Sequence, residues 1–525
     1  MASLLKRLAA SGAAYQASSL VAGFLALFTL PLYTRHLTSA QLGYAETLLT
    51  AIILVSILLR FGIGEAFVRF WFDDADAQRR ARLARTTTSF VLVTSTAAGL
   101  VAIVLAGPLS RLLLGIHDAT LVAYGVLGLW AFTNLEIAYA LLRVEERRRT
   151  YLIASVSNVL LTVALTVTLV VGFDGGARGY VLGNYAASTI VLFGLWIFAL
   201  RGHVAIAPRL RERGQVSLRP MLAFGSPTVP ADAAVFALNV IDRAYILRAD
   251  SPAAAGLYAV AVKLATAVIV AVRGFQLAWP PLAYSISDDE EARRTYAVVV
   301  TAFAALCGVI VVGMWLEARW IVRLLADPSF FDSYEAIGPL ALGAALYGIY
   351  LALVVILGRT GKTGYNFPVT IVATIANVVL NLILVPAWGI VGAGVALIIS
   401  YLIVIVLIYA VSRRIFPIPW QWGRLTVVVG AAAVLIAGGE LLLPTEGAAG
   451  FLSRLAVFAL YPVILWFGGA VDRSEREQVT AALRAEDWRE RLARMRRERG
   501  TESDDQARAE ELYEQDIRDR DRGNF

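Results

Sequence analysis

Seven polar or ionisable side chains interrupt the apolar runs of this sequence, and their types indicate what chemistry they could support. They are Arg60, Glu136, Asp232, Asn239, Arg243, Lys263 and Arg273. A lysine can bind a phosphate oxygen as a point charge, and an arginine can bind two as a planar fork. A carboxylate among such cations could bind a proton or Na⁺ as a coupling ion. We therefore predict a binding cavity for an anionic ligand rather than a catalytic centre.

The composition places these residues in a membrane protein. The chain has 525 residues, of which 58% are hydrophobic and 17% charged, and its mean hydropathy is +0.68. No ordinary soluble domain of this length has such a composition. The net charge of +7 does not indicate nucleic acid, because the basic residues cluster in short connections between apolar runs. Cys307 is the only cysteine and the three histidines are scattered, so we predict no disulfide, no metal site and no cofactor.

Fourteen apolar runs are long enough to cross a membrane as helices, since a spanning helix needs about 20 mainly apolar residues. We therefore predict an all-α polytopic membrane protein. The runs are 12–34, 43–67, 86–107, 119–142, 151–173, 179–200, 222–247, 256–284, 295–316, 335–358, 365–386, 390–411, 425–443 and 451–471.

The orientation follows from the lysines and arginines in the connections, which are enriched on the cytoplasmic side. The connection after the second run contains Arg79, Arg80, Arg82 and Arg85, and similar clusters follow the fourth and sixth runs. The connections after the third and fifth runs contain one basic residue each, Arg111 and Arg178. This alternation predicts a multi-pass protein of the plasma membrane with both termini in the cytoplasm.

The runs group into a predicted domain organisation. Residues 1–200 form an N-terminal six-helix lobe, 201–221 a basic cytoplasmic connection, and 222–411 a C-terminal six-helix lobe. Two additional helices (412–471) and a charged cytoplasmic tail (472–525) follow. Two internal repeats that move against each other around a central site are typical of secondary transporters, so we expect the two lobes to enclose a central cavity.

The pair Asp242-Arg243 lies near the end of the seventh run. At a rise of about 1.5 Å per residue from Leu222, Asp232 lies roughly 15 Å into the membrane and the pair roughly 30 Å, at the outer face. We interpret the pair as a hydrated helix end, with a cavity role as the alternative, because Asp232, Asn239 and Arg243 share one helical face. Asp232 is the stronger candidate for a cavity residue, and its alternative is a charge balanced by a neighbouring lysine.

The other charged candidates lie in three further runs. A charge at the bilayer centre costs about 2.5–3.5 kcal/mol, so persisting charges usually face a wet cavity or a partner. Lys263 in the eighth run could contact phosphate or pair with Asp232. Arg273 in the same run could contact phosphate or extend towards the cytoplasmic headgroups. Residue counting places Arg60 and Glu136 at similar depth in the second and fourth runs, so an ion pair between them is an open alternative.

Three stretches of the sequence carry motifs in a distinctive order. Residues 12–48 carry a proline near the outer end of the first helix, followed by Arg35 and Gly43. Residues 224–265 contain a Pro-Thr entry, the Asp-Arg pair and a Gly-Leu-Tyr-x-x-Ala restart. Together with 358–397, which is similar to the eleventh and twelfth helices of the family, these stretches resemble polysaccharide exporters and flippases of the multidrug/oligosaccharidyl-lipid/polysaccharide (MOP) superfamily. The resemblance extends over about residues 10 to 410.

The resemblance implies a function and a cargo. It implies two six-helix lobes that work by alternating access and turn a polyprenyl-pyrophosphate-linked oligosaccharide from the cytoplasmic to the outer leaflet, for cell-surface polysaccharide synthesis. Two alternatives stay open: an ion-coupled multidrug antiporter, which the basic balance of the cavity disfavours, and a membrane glycan polymerase, for which we find no paired carboxylates in an outer loop.

The expected partners follow from this function. They are the lipid-linked oligosaccharide, membrane lipids and a coupling ion, either H⁺ or Na⁺, and we expect a monomer. The tail is interpreted as a solvated segment, with docking of glycan-assembly enzymes as the alternative.

Overall fold

A computed structural model describes residues 21, 23–72, 76–201, 218–472 and 476–477 of the chain. These residues are almost entirely helical, and no β-strand occurs among them. The predicted all-α class is therefore confirmed. The predicted tail lies almost wholly outside the described residues, as does most of the 201–221 connection.

Seventeen helices, named α1 to α17 in chain order, make up the described part of the chain. The first half contains α1 (23–36), α2 (Ser39–Leu59), α3 (Ile63–Trp71), α4 (Ala77–Val104), α5 (Ala106–Leu114), α6 (Ala119–Val144), α7 (Arg148–Val167) and α8 (Gly176–Gly194). The second half contains α9 (Leu218–Gly225), α10 (Val229–Ala249), α11 (Pro252–Ser285), α12 (Asp289–Leu316), α13 (Ala318–Leu325), α14 (Tyr334–Arg359), α15 (Asn366–Ile415), α16 (Trp422–Leu442) and α17 (Gly447–Phe467).

Twelve helical segments of the described residues are long and apolar enough to cross a membrane. The 50-residue α15 counts as one of them, although Gly389 in its middle has a non-helical backbone (φ 55°, ψ −135°) that separates the predicted eleventh and twelfth spans. The first predicted span, 12–34, is described only from residue 21 onwards. A membrane-spanning helical protein is thus confirmed, while the total of fourteen spans stays a prediction.

The second predicted span, 43–67, is not one continuous helix. α2 ends at Leu59, and Phe61 (φ 48°) and Gly62 (φ 68°) adopt left-handed backbone conformations before α3 begins. Two successive residues in this region cannot continue a right-handed helix. The apolar run suggested that Arg60 lies deep inside a helix. Arg60 lies instead at the C-terminal end of α2.

The helices pack in two groups that meet through α2. In the first group α6 packs against α2, α4 and α8, and in the second α14 packs against α11, α12 and α15. α2 also packs against α10 and α11, so it joins the two groups. The predicted lobe boundaries at 200 and 222 stay a prediction.

Glycines allow α2 and α11 to touch near their N-terminal ends. A methyl group on Gly43 would overlap the carbonyl oxygen of Pro252, and one on Gly256 would overlap the carbonyl oxygen of Ser39. Only a residue without a side chain permits such a backbone approach. The two groups are therefore in direct contact at the end of the molecule that the basic residues predict to be extracellular.

A second close contact, again between glycines, joins the helices at the opposite end of the molecule. Gly62, at the start of α3, lies against Gly225, at the end of α9, and a methyl group on either would overlap the backbone of the other. The rings of Phe70 and Phe224 meet beside this contact with centroids 6.1 Å apart. The two groups thus touch at both ends of the molecule, with the charged residues between the contacts.

We expect Gly225→Ala to open the α3–α9 contact. Gly225 has an ordinary right-handed backbone (φ −84°), so alanine is not strained there, and the atoms nearest to the added methyl group belong to Gly62. Spin labels at the exposed positions Phe72 and Arg219 should move apart in electron paramagnetic resonance distance measurements. Gly430→Ala, in a helix with free space around the new methyl group, is the matched control. Equal distances in all three proteins would contradict the prediction.

The last two helices are joined to α12 and α13 by a buried ion cluster. Arg454 is 0% exposed, its Nη1 lies 2.7 Å from Glu440 Oε1, and its Nε donates to the carbonyl oxygen of Pro444 at 3.1 Å. Arg319 Nη1 lies 3.0 Å from Glu440 Oε2. Glu317 is 8% exposed, and neither of its carboxylate oxygens has a hydrogen-bond partner. A buried charge is costly when unpaired, so this cluster couples α16 and α17 to the rest of the fold.

Candidate functional site

A buried carboxylate, Glu46 of α2, is the centre of a polar network between the two helix groups. Glu46 is 6% exposed. Lys263 Nζ lies 2.6 Å from its Oε1, and Arg243 Nη1 lies 3.3 Å from its Oε2. The hydroxyl of Tyr180 donates to Oε1 at 2.7 Å, and Arg243 also donates to the hydroxyl of Thr50 at 3.2 Å. One carboxylate thus contacts two cations, so the three groups together carry one net positive charge.

Four helices position these side chains. Glu46 and Thr50 are one helical turn apart on α2 and therefore lie on one face. Tyr180 comes from α8, while Arg243 and Lys263 come from α10 and α11. The network consequently connects the first helix group to the second, and any movement of one group against the other must break or stretch the ion pairs.

The interpretation of Asp242-Arg243 as a hydrated helix end is wrong. Asp242 is 2% exposed, and the hydroxyl of Tyr258 donates to its Oδ2. The sequence placed the pair at the outer face because the apolar run and the helix have different bounds. α10 begins at Val229, after a short 3₁₀ turn, and continues to Ala249, so Arg243 lies roughly 9 Å inside its end.

The suggested pair between Lys263 and Asp232 does not form. Lys263 pairs with Glu46 instead. Asp232 is exposed and lies near the start of α10, within electrostatic range of Arg60 and Glu65. The described residues among the seven predicted ones therefore do not form a single cluster.

The predicted pair between Arg60 and Glu136 is present. Arg60 Nη1 lies 3.7 Å from Glu136 Oε2, and both side chains are partly exposed, at 21% and 31%. The pair joins α2 to α6 within the first helix group. Together with Asp232 it forms a second charged region, close to the Gly62–Gly225 contact.

Arg273 lines a cavity of about 290 Å³ in the second helix group. Arg243, Tyr258, Gln276 and Tyr347 line the same cavity. Its described lining contains no carboxylate, although Glu46 pairs with Arg243 and Asp242 accepts a hydrogen bond from Tyr258. Arg273 is exposed and has no ion pair in the described part of the chain. Of the two arginines that line this space, Arg243 is paired with Glu46, and Arg273 has no ion pair among the described residues.

Asn239 lies in α10, but its side chain is outside the described part of the structure. Its predicted role therefore stays a prediction. No group of three or more histidine, cysteine or acidic side chains among the described residues is arranged to hold a metal ion.

The sequence reasoning missed Glu46 and Tyr180. Glu46 could have been found, because it is a carboxylate inside an apolar run, the same signal that selected Glu136. Tyr180 could not, because nothing in its neighbourhood distinguishes it from the other tyrosines of the chain.

Residues 8–286, more than half of the chain, match a family model described as polysaccharide biosynthesis protein. The chain belongs to this polysaccharide biosynthesis protein family. The predicted resemblance is thereby confirmed. No curated protein matches the sequence significantly.

Solved structures show that this polysaccharide biosynthesis family member has the fold of MOP superfamily proteins. The inward closed conformation of the lipid II flippase MurJ is similar with a TM-score of 0.70 at 13% identity, over 86% of this chain and 97% of that chain. An inward-facing multidrug resistance MATE transporter is similar with a TM-score of 0.59 at 16% identity, over 80% and 96%. A MOP superfamily transporter from Pyrococcus furiosus is similar with a TM-score of 0.54 at 14% identity, over 81% and 95%. These proteins are a flippase and transporters, not enzymes.

Proposed function

We propose that the protein flips a polyprenyl-pyrophosphate-linked oligosaccharide from the cytoplasmic to the outer leaflet of the plasma membrane by alternating access. The observation that carries the proposal is the cavity whose described lining contains Arg243 and Arg273 and no carboxylate. The family description and the likeness to a lipid II flippase support a lipid-linked cargo.

The cavity suits a pyrophosphate with sugars attached. A guanidinium group binds two phosphate oxygens in one plane, and its charge persists in a partly dehydrated space. Arg243 Nε is buried and has no hydrogen-bond partner, so it can donate to an added acceptor. The amide of Gln276 and the hydroxyl of Tyr347 are neutral groups suited to sugar hydroxyls. The described lining offers a small cationic drug no carboxylate, which disfavours the multidrug antiporter.

Glu46 gives the cavity a competing counter-ion. Arg243 and Lys263 contact its carboxylate while the two helix groups touch. A pyrophosphate that binds Arg243 and Lys263 competes with Glu46 for these cations. This competition weakens the ion pairs that connect the two helix groups. Binding of cargo then favours the separation that alternating access requires. In this scheme a coupling ion, H⁺ or Na⁺, acts on a carboxylate such as Glu136.

The proposal is tested by transbilayer movement of a lipid-linked oligosaccharide in proteoliposomes. We expect wild type to move the lipid and Arg273→Ala to slow it about 10- to 100-fold, since a hydrogen bond to a charged group contributes about 1.5–3 kcal/mol. Arg273→Lys should retain part of the rate. Arg294→Ala, which removes a cation from an exposed pair with Glu290, is the matched control.

Two results would contradict the proposal. If wild type moves no lipid-linked oligosaccharide but passes small cations along a proton or sodium gradient, the antiporter is the better description. If wild type moves the lipid and Arg273→Ala moves it equally fast, the function stands and the cavity assignment is wrong.

A further inference from the structure

A polar pocket of about 690 Å³ lies apart from the cavity, where the ends of α11, α12, α14 and α15 converge. Three cations line it, Arg293, Arg359 and Lys362, and Asp289 is its only acidic lining residue among those the structure describes. This end of the helices is the one that the basic residues predict to be cytoplasmic. Its volume is within the range of ligand sites.

Arg359 is held by the protein itself. Its Nη2 lies 2.8 Å from Asp289 Oδ1, and its Nη1 donates to the carbonyl oxygens of Ala283 and Ile286 at 3.2 and 2.8 Å. This neutralises Asp289 and fixes the wall of the pocket. Arg359 is therefore a positioning residue, and the remaining two cations carry the unbalanced charge.

Arg293 and Lys362 have no ion pair in the described part of the chain. The guanidinium of Arg293 stacks on the ring of the buried Phe416 at 4.9 Å, which holds its plane and leaves its edge free. Arg293 Nε is buried and has no hydrogen-bond partner. An unpaired buried donor is costly, so it indicates a place where an acceptor binds. Lys362 is exposed at the rim.

We propose that this pocket binds the phosphate headgroup of an anionic membrane phospholipid. Two unbalanced cations and a free donor suit phosphate oxygens. Basic pockets between spanning helices on the cytoplasmic side bind anionic headgroups. The apolar residues Ile286 and Ile415 in the lining suit the start of the acyl chains. The site is separate from the cargo cavity and does not depend on the proposed transport function.

The test is the shift in thermal unfolding midpoint of the full chain in a neutral detergent. Phosphatidylglycerol, phosphatidylcholine or glycerol phosphate is added in increasing amounts. We expect stabilisation by phosphatidylglycerol at concentrations where the other two have little effect. Arg293→Ala/Lys362→Ala should weaken the apparent affinity about 30-fold, because each cation near a charged lipid contributes about 1 kcal/mol. Lys362→Ala alone, at an exposed position, should weaken it about fivefold without affecting the fold.

Arg413→Ala/Arg414→Ala is the matched control, because both residues are exposed on the same end and neither lines the pocket. An equal loss in control and pocket variants would overturn the site in favour of general surface attraction. Equal stabilisation by glycerol phosphate would assign the pocket to a soluble phosphate ester instead of a lipid. No stabilisation by phosphatidylglycerol would refute binding altogether.

Discussion

Replacing Glu46 by alanine is expected to lower the free energy of unfolding by about 3–5 kcal/mol, because it leaves two largely buried cations without this counter-ion. Lys263 and Arg243 both contact this carboxylate and are only 21% and 14% exposed. The effect should be visible in unfolding titrations with sodium dodecyl sulfate in mixed micelles.

Two further variants separate the charge from the lost packing. Adding Lys263→Met to Glu46→Ala removes one of the stranded cations, so we expect the double variant to regain much of the stability. Glu136→Ala breaks a longer and more exposed pair with Arg60, so its loss should stay near 1 kcal/mol. Similar losses for Glu46→Ala and Glu136→Ala would mean that the network is not the main polar link between the helix groups.

Replacing Arg454 by methionine is expected to lower the free energy of unfolding by about 3 kcal/mol at pH 8. Among the described residues, the variant leaves Glu440 with only Arg319 and removes the cation that acts on Glu317. Burial raises the pKa of Glu317 to about 7, and Arg454 counteracts this rise.

The pH dependence of this loss identifies its cause. The ionised carboxylate of Glu317 carries this penalty, so the penalty is present above the pKa of Glu317 and decreases as the pH falls and Glu317 takes up a proton. We therefore expect a smaller loss at pH 5 than at pH 8. Arg294→Met, in an exposed pair with Glu290, should cost less than about 0.5 kcal/mol at either pH. A loss that is the same at both pH values would indicate packing of the Arg454 side chain and not its charge.

Local signals in the sequence were sufficient for the class of the fold. Apolar runs of about 20 residues predict spanning helices because the bilayer imposes their length. The same signal failed at 43–67, where apolar character continues through the break at Phe61 and Gly62. Hydropathy reports contact with lipid and is insensitive to two left-handed backbone residues.

Local signals in the sequence do not predict which charged residues pair with each other. Arg60 and Glu136 were expected at the same depth and do pair, because depth is a one-dimensional quantity that residue counting estimates well. For Lys263 the alternative to a phosphate contact was a pair with Asp232, but Lys263 pairs with Glu46, which belongs to the other helix group. Which of several charges at one depth meet depends on the rotation and crossing of helices.

The sequence alone therefore determined a helical membrane protein, its resemblance to the MOP superfamily, and the apolar runs that carry its charges. Only the tertiary structure decided that Glu46 holds Arg243 and Lys263, that Asp242 is buried, and that Gly62 meets Gly225. The physical reason is that secondary structure follows from neighbours along the chain, whereas these contacts join residues far apart in sequence through the packing of whole helices.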